Sequence, residues 1–328
     1  MGTQNQHVAR VHLIPYHAEE ARLSSPVPVM PAHRKLAALP VLALLMGAIA
    51  LGSSPILVRL SELEPTATAF YRVALAAPAF LIISVTSSRS SVATHKSASV
   101  HNELLWLAVA GGFFALDLLC LHWSLRYTSV TNATLFLNFA PFFVALGAWL
   151  IFGESPTFGT VVSFAIAITG ISLLVGGVSG TKPNQHFGDL LGIGAGAAYG
   201  AYLLVVSRFR DRLSTSLVMG VTTISCALAL LPVAVLLGEG LTPPTLRAWT
   251  ILLALALLTH AAGQGLLVFA MKYLPASTSS VTLMLQPVVA ACGAWVIFQE
   301  RLGFWQMVGA GVVLIGIVLC HNATRQRR

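Results

Sequence analysis

The sequence predicts an all-α integral membrane protein: ten transmembrane helices arranged as two inverted five-helix repeats. Three observations carry this prediction. Of the 328 residues, 56% are hydrophobic and 9% are charged, and the mean hydropathy is +0.81. A soluble domain carries about a quarter charged residues, so a chain this apolar has too little polar surface to cover itself in water, and its solvent is lipid. Its apolar residues gather into ten runs, each near the ~20 residues that a bilayer-spanning helix requires. One stretch of the chain also occurs twice, 146 residues apart.

That stretch is Tyr127 to Glu154, YTSVTNATLFLNFAPFFVALGAWLIFGE. It returns as Tyr273 to Glu300, YLPASTSSVTLMLQPVVAACGAWVIFQE. Without a gap, Tyr127 falls on Tyr273, Leu137 on Leu283, Pro141 on Pro287, Trp149 on Trp295 and Glu154 on Glu300. The register persists to Gly170 and Gly316. Shared greasiness aligns alanines and leucines, but not a tyrosine, a proline, a tryptophan and a glutamate together. A repeat of this kind decides the architecture: the chain is one half made twice.

In chain order, residues 1–35 are polar, with mixed charges and no apolar core of signal-peptide length, and read as a flexible cytoplasmic tail. The first repeat, 36–177, holds spans at 36–58, 66–86, 103–123, 129–152 and 157–177. Residues 178–187 link it to the second repeat, 188–321, with spans at 188–207, 215–237, 248–270, 276–298 and 303–321. A short basic tail, 322–328, follows. The runs are continuous rather than alternating and too long for barrel staves, which excludes strands.

Within these spans a few residues punctuate the pattern. Residues 87–102 form a serine-rich loop between spans two and three. Pro141 and Pro287 lie at matching depth in spans four and nine, where each removes a backbone hydrogen bond and marks a helix hinge. Such breaks persist where they line a cavity; the alternative is that they only shape packing. Ser155 and Pro156 read as the cap and first turn of span five, and Glu154 and Glu300 as span ends at the water interface. Gly192, Gly196 and Gly200 make a small-residue ridge in span six that lets a neighbouring helix come close, within a chain that is a monomer or a homodimer.

Orientation follows from the basic residues. With both termini inside, thirteen Lys and Arg fall on the inner side and five on the outer, with Arg72 inside a span, so the positive-inside rule predicts cytoplasmic ends. Five spans per half, an odd number, then turn the second half upside down. Inverted repeats of this kind underlie alternating access around a site near the midplane.

The charge distribution also excludes other classes. The net charge of +8 is spread between apolar runs and at the ends, which suits an anionic membrane surface and not nucleic acid. Cys120, Cys226, Cys292 and Cys320 all lie in apolar runs and make neither a disulfide framework nor a metal-ligand pattern. They read as buried small hydrophobes, so no metal and no cofactor are expected. No G-x-x-x-x-G-K-[ST] loop occurs, so ATP is not the energy source.

Ten spans in two copies, each copy with a Pro-containing helix closed by GE or QER, resemble the drug/metabolite transporter superfamily, specifically its EamA-type members. The motifs that carry the resemblance are SVTNATLFLNFAPFFVALGAWLIFGE and SSVTLMLQPVVAACGAWVIFQERL, with Arg72 in span two, and the likeness covers residues 36–321. It implies a carrier or exporter of small metabolites, often amino acids, in a bacterial-type inner membrane. It also implies that spans one to four and six to nine surround the cavity while five and ten stay peripheral.

Ionisable residues inside a membrane are functional suspects, because a charge there costs at least a few kcal/mol. Arg72 and Asp117 lie about five and six residues in from the outer ends of spans two and three, about 8–9 Å deep. They pair, or Asp117 is a proton-binding carboxylate tuned by Arg72. The other readings are snorkelling or packing for Arg72 and a structural ion pair for Asp117. His122, about one turn above Asp117, is a proton relay or an interfacial histidine. His260 and Gln264, one turn apart in span eight, share a face and reach a depth similar to Gln286 in span nine and Asn138 in span four. Together they bind a polar metabolite between Trp and Tyr walls, or they tie helices to one another. These suspects are not duplicated: Asp117 aligns with Gly263, His260 with Phe114 and Gln286 with Ala140.

The function expected is secondary active transport, export of a small metabolite such as an amino acid across the inner membrane in exchange for protons, with no enzymatic step. The alternatives are an intramembrane enzyme using Asp117, His122 or His260, and a passive facilitator or channel.

Overall fold

The described part of every predicted span is mainly helical in the computed structural model, which describes residues 32–87, 97–128, 130–153, 157–175, 184–209, 212–274, 279, 281–298 and 303–325. The tail before residue 32, most of the serine-rich loop, the linker through 183, Glu154, Ser155, Pro156 and Glu300 lie outside the described residues. The described residues from 39 onward pack as one unit.

Among the described residues, six helices are long and apolar enough to cross a membrane: Ala38–Leu60, Pro65–Ile83, His101–Tyr127, Gln185–Phe209, Thr215–Leu236 and Leu246–Met271. They are the predicted spans one, two, three, six, seven and eight. Shorter apolar helices, Ala140–Ile151, Val161–Leu173, Leu283–Ile297 and Met307–Gly316, fall in spans four, five, nine and ten.

Spans four and nine are interrupted where their prolines sit. Val130–Leu137 stops and the helix resumes as Ala140–Phe152; Pro141 has no N–H to return to the Leu137 carbonyl, and the amide of Phe139 closes a tight turn on Phe136 instead (3.1 Å). In span nine a 3₁₀ turn, Leu283–Leu285, precedes the helix Gln286–Phe298. The interruption in span four follows Leu137, and that in span nine starts at its counterpart Leu283.

Proline alone does not cause such breaks, since Pro40 and Pro232 lie inside continuous helices. Two further breaks were not expected. Span one splits at Ser53, whose hydroxyl donates to the Ala50 carbonyl (2.6 Å) before Pro55 opens the next helix. Span two splits between Pro65–Ala74 and Ala77–Ser87. Span eight also departs from a regular helix. Between Leu246–Ala254 and Gly265–Met271 it widens into a ten-residue π-helix, Leu255–Gln264. Wider turns of this type recur at functional sites.

Packing is close enough to depend on missing side chains. The glycine ridge of span six lies against the broken span four. A Cβ on Gly196 would sit 2.8 Å from the Phe136 carbonyl oxygen and 3.2 Å from that of Leu137, so the ridge works within the chain. Spans five and ten pack on each other through a second pair of contacts. A Cβ on Gly170 would meet the Val313 amide at 2.6 Å, and one on Gly316 would meet Ala167 at 2.9 Å. The main core, around Phe114, Leu118, Tyr202, Met219 and Leu267, joins spans one to four and six to nine. Trp106, Trp149, Trp295 and Trp305 are exposed on the surface of the bundle. So is Cys292, contrary to the expectation of a buried small hydrophobe: it lies on the face of its helix that turns away from the core.

Candidate functional site

The breaks in spans one, four and nine open onto one cavity. Its lining is Leu51, Ser54 and Pro55 from span one, Arg72 from span two, Phe114, Asp117, Leu118 and Leu121 from span three, Leu137 from span four, Tyr199 from span six, Gln264 from span eight and Gln286 from span nine. The enclosed space is small, about 30 Å³, room for a guest of roughly water size. None of the lining residues comes from spans five, seven or ten, so the peripheral place of five and ten agrees with the resemblance, and span seven supports the wall from behind.

Arg72 is 4% exposed and Asp117 3%, and the structure brings both to this cavity without an ion pair of 4.0 Å or less between them. The guanidinium Nη1 instead donates to Ser54 Oγ (2.8 Å), where span one has turned to bring that hydroxyl inward. The Nε–H of Arg72 and Oδ1 of Asp117 are buried without a hydrogen-bond partner. Opposite them, the fully buried Gln264 accepts from the Tyr199 hydroxyl at Oε1 (3.1 Å) and leaves Nε2 unpartnered. Unmade bonds of this kind cost about 1–3 kcal/mol each, more for charged groups, so three of them around one space mark it as a candidate site. Chemically the cavity offers a cation, an anion, an amide donor and the flat rings of Phe114 and Tyr199. The rings are Phe and Tyr; the expected Trp walls are absent from the lining.

The remaining suspects sit around the cavity rather than on its wall. His260 bonds Thr223 Oγ1 through Nε2 (2.9 Å) and stacks on Phe114 at 5.3 Å, with Phe80 edge-on at 6.0 Å. It therefore props the aromatic wall from the π-helix, one turn from Gln264. Asn138, in the gap of span four, donates from Nδ2 to the Thr134 carbonyl of its own helix (2.6 Å). His122 places Nδ1 3.0 Å from the Pro65 carbonyl oxygen. Ser54, Phe114 and Tyr199 were missed from the sequence. The Ser-Ser-Pro step at 53–55 inside an apolar run was the one available signal. Among the described residues no His, Cys, Asp and Glu cluster is suited to a metal ion.

Above the cavity one end of the bundle is clasped by side chains. The Glu239 carboxylate accepts from the amides of Thr66 (3.3 Å) and Ala67 (2.6 Å). The Tyr71 hydroxyl donates to the Leu241 carbonyl (2.5 Å), and Thr245 Oγ1 donates to Glu62 (2.7 Å). Trp123 donates to Thr66 Oγ1, Arg126 pairs with Glu64, Ser124 donates to the Gly188 carbonyl and Thr128 to Asp189. The connections after spans one, three and seven and the start of span six thus meet at one end. At a different place, Arg212 approaches Glu103 at 4.0 Å.

Comparison with known proteins agrees with this architecture. The EamA-like transporter family profile matches the chain twice, over residues 38–176 and 186–321. An uncharacterized transporter of Archaeoglobus fulgidus is 27% identical over 267 residues, 79% of this chain and 89% of that protein. The uncharacterized transporter YetK of Bacillus subtilis is 22% identical over 204 residues, 61% of this chain and 62% of that protein. A crystal structure of a protein 17% identical superposes with a TM-score of 0.69 over 90% of this chain and 99% of that one, a likeness of fold. With both halves matched by one profile, the chain, a multi-pass membrane protein, belongs to the EamA-like transporter family.

Proposed function

We propose that this transporter is a secondary active exporter of a small zwitterionic metabolite, such as an amino acid, working by alternating access in exchange for protons. The observation that carries the reading is the cavity itself. Arg72 and Asp117 share it without bonding each other, so a substrate carboxylate has the Arg72 Nε–H to accept from and a substrate ammonium has Asp117 Oδ1 to donate to. Charge-assisted bonds of this type are about twice as strong as neutral ones. Gln264, Gln286 and the Phe114 and Tyr199 rings complete the lining, and the helices must part to admit a solute larger than water. Protonation of Asp117 when substrate leaves would couple the two fluxes. Export follows the family resemblance.

Two inverted five-helix halves give this site its two openings. The packing supports the inversion. Gly170 on Val313 and Gly316 on Ala167 are one contact made twice, because 167 and 313, like 170 and 316, are 146 apart. The helix Ser54–Leu60 ends at the clasped end, and the helix Gln185–Phe209 begins there, as opposed insertion requires. We further infer that the clasped end faces outward and that both termini are cytoplasmic, in line with the thirteen basic residues assigned to the inner side.

Purified protein in liposomes loaded with candidate amino acids tests the function. Saturable counterflow that collapses in Arg72→Gln supports it. Flux that never saturates would make the protein a pore, and chemical conversion of the solute an enzyme.

A further inference from the structure

The cap of span two comes from the other half of the molecule. Its helix starts at Pro65 with Glu64 at the N-cap, but Glu64 makes no capping bond; its carboxylate is taken by Arg126. The free amides of Thr66 and Ala67 are satisfied instead by Glu239, more than 170 residues away. Glu239 is aimed by a helix ending. Gly238 adopts φ +68°, its amide bonds Val235, and the amide of Glu239 bonds Ala234, the pair of bonds that closes a Schellman turn. The anion therefore sits on the positive end of the span-two helix. Arg72 lies six residues, about 9 Å, down the same helix, and the neighbouring Tyr71 is tied to Leu241.

We propose that Glu239 is the latch of a gate at this end: the cavity opens to this side only when the carboxylate leaves Thr66 and Ala67, and span two then swings away carrying Arg72 with it. The latch joins the two parts that must separate, its bonds are made through a single side chain, and the helix it releases holds one of the two charges of the site. This inference rests on the alternating-access reading above.

The test reads access rather than transport. Leu121 lines the cavity; in a background with the native cysteines replaced, Leu121→Cys is labelled with a membrane-impermeant thiol reagent from each face in turn. Removing the charge with Glu239→Gln weakens a charge-assisted bond and is expected to speed labelling from the clasped face about tenfold, with labelling from the opposite face retained or slowed, which also reports a folded protein. Oxidative cross-linking of Ala67→Cys to Glu239→Cys is expected to bring clasped-face labelling to background. Labelling from both faces that responds to neither change overturns the latch and leaves alternating access standing. Labelling from neither face in any variant overturns alternating access, and the latch with it.

Discussion

Asp117 of the first half has Gly263 as its counterpart 146 residues on, and no polar side chain stands there. Where the first half holds a carboxylate in the cavity, the second has Gly263, a glycine that lets span one approach, with a Cβ there 3.1 Å from Leu51. The reverse holds for Gln264, whose counterpart Leu118 lines the same cavity with an apolar face. The helix starts differ as well. Span seven is capped by its own Ser214, which accepts from the Leu217 amide, whereas span two depends on Glu239 from the other half. The difference teaches that duplication has preserved the frame, its prolines, close-packed glycines and helix order, while the polar groups have specialised. One half holds the charged groups, and the other supplies neutral ones and the latch.

Breaking the frame has the largest expected effect. Gly196→Leu drives a side chain into the backbone of span four and is expected to abolish the folded monomer in detergent, an overpacking cost of at least about 1–3 kcal/mol. Gly112→Leu, with nothing within 4 Å of its Cβ, should leave the melting temperature unchanged. Equal losses in both would show that the ridge is not a packing surface.

The next effects fall on one half's chemistry alone. Asp117→Asn is expected to abolish uptake driven by a pH gradient while exchange of substrate for substrate continues; unchanged pH-driven uptake removes Asp117 from the coupling. Ser54→Ala frees the guanidinium of Arg72 from its hydroxyl, and a hydrogen bond to a charged group contributes about 1.5–3 kcal/mol. KM should rise about tenfold or more with kcat retained. Loss of kcat with KM unchanged would place Ser54 in the conformational step instead. Tyr199→Phe removes a neutral bond to Gln264 worth about 1 kcal/mol, and a roughly fivefold rise in KM is expected. A larger loss than that of Ser54→Ala would reverse the ranking of the halves.

Much of the frame was legible in the residues because membrane helices are long apolar runs and the repeat aligns without a gap. Pro141 and Pro287 announced the interruptions in spans four and nine for the same reason, a missing amide in each. The breaks at Ser53 and after Ala74 and the π-helix through His260 were not legible. They depend on which neighbours pack there, as the unbroken helices at Pro40 and Pro232 show. Of the polar suspects, Arg72, Asp117, Gln264 and Gln286 could be picked out because a charge or an amide in lipid needs a partner. Which of them face a cavity and which, like Asn138 and His260, bond a helix depends on rotations that no periodicity reports. Ser54, Phe114 and Tyr199 look like ordinary membrane residues until the helices are assembled. Span seven was read to end at residue 237, but the destination of the Glu239 carboxylate lies in the other half and was not legible.

Opposed insertion of the two halves is the claim on which the rest depends, and side-specific labelling of three points tests it most directly: Glu62→Cys, Asn184→Cys and a tag at the amino terminus. The account predicts that an impermeant reagent reaches residues 62 and 184 from outside intact cells and that the tag is reached only after the membrane is opened. Residue 184 and the amino terminus on the same side would contradict it.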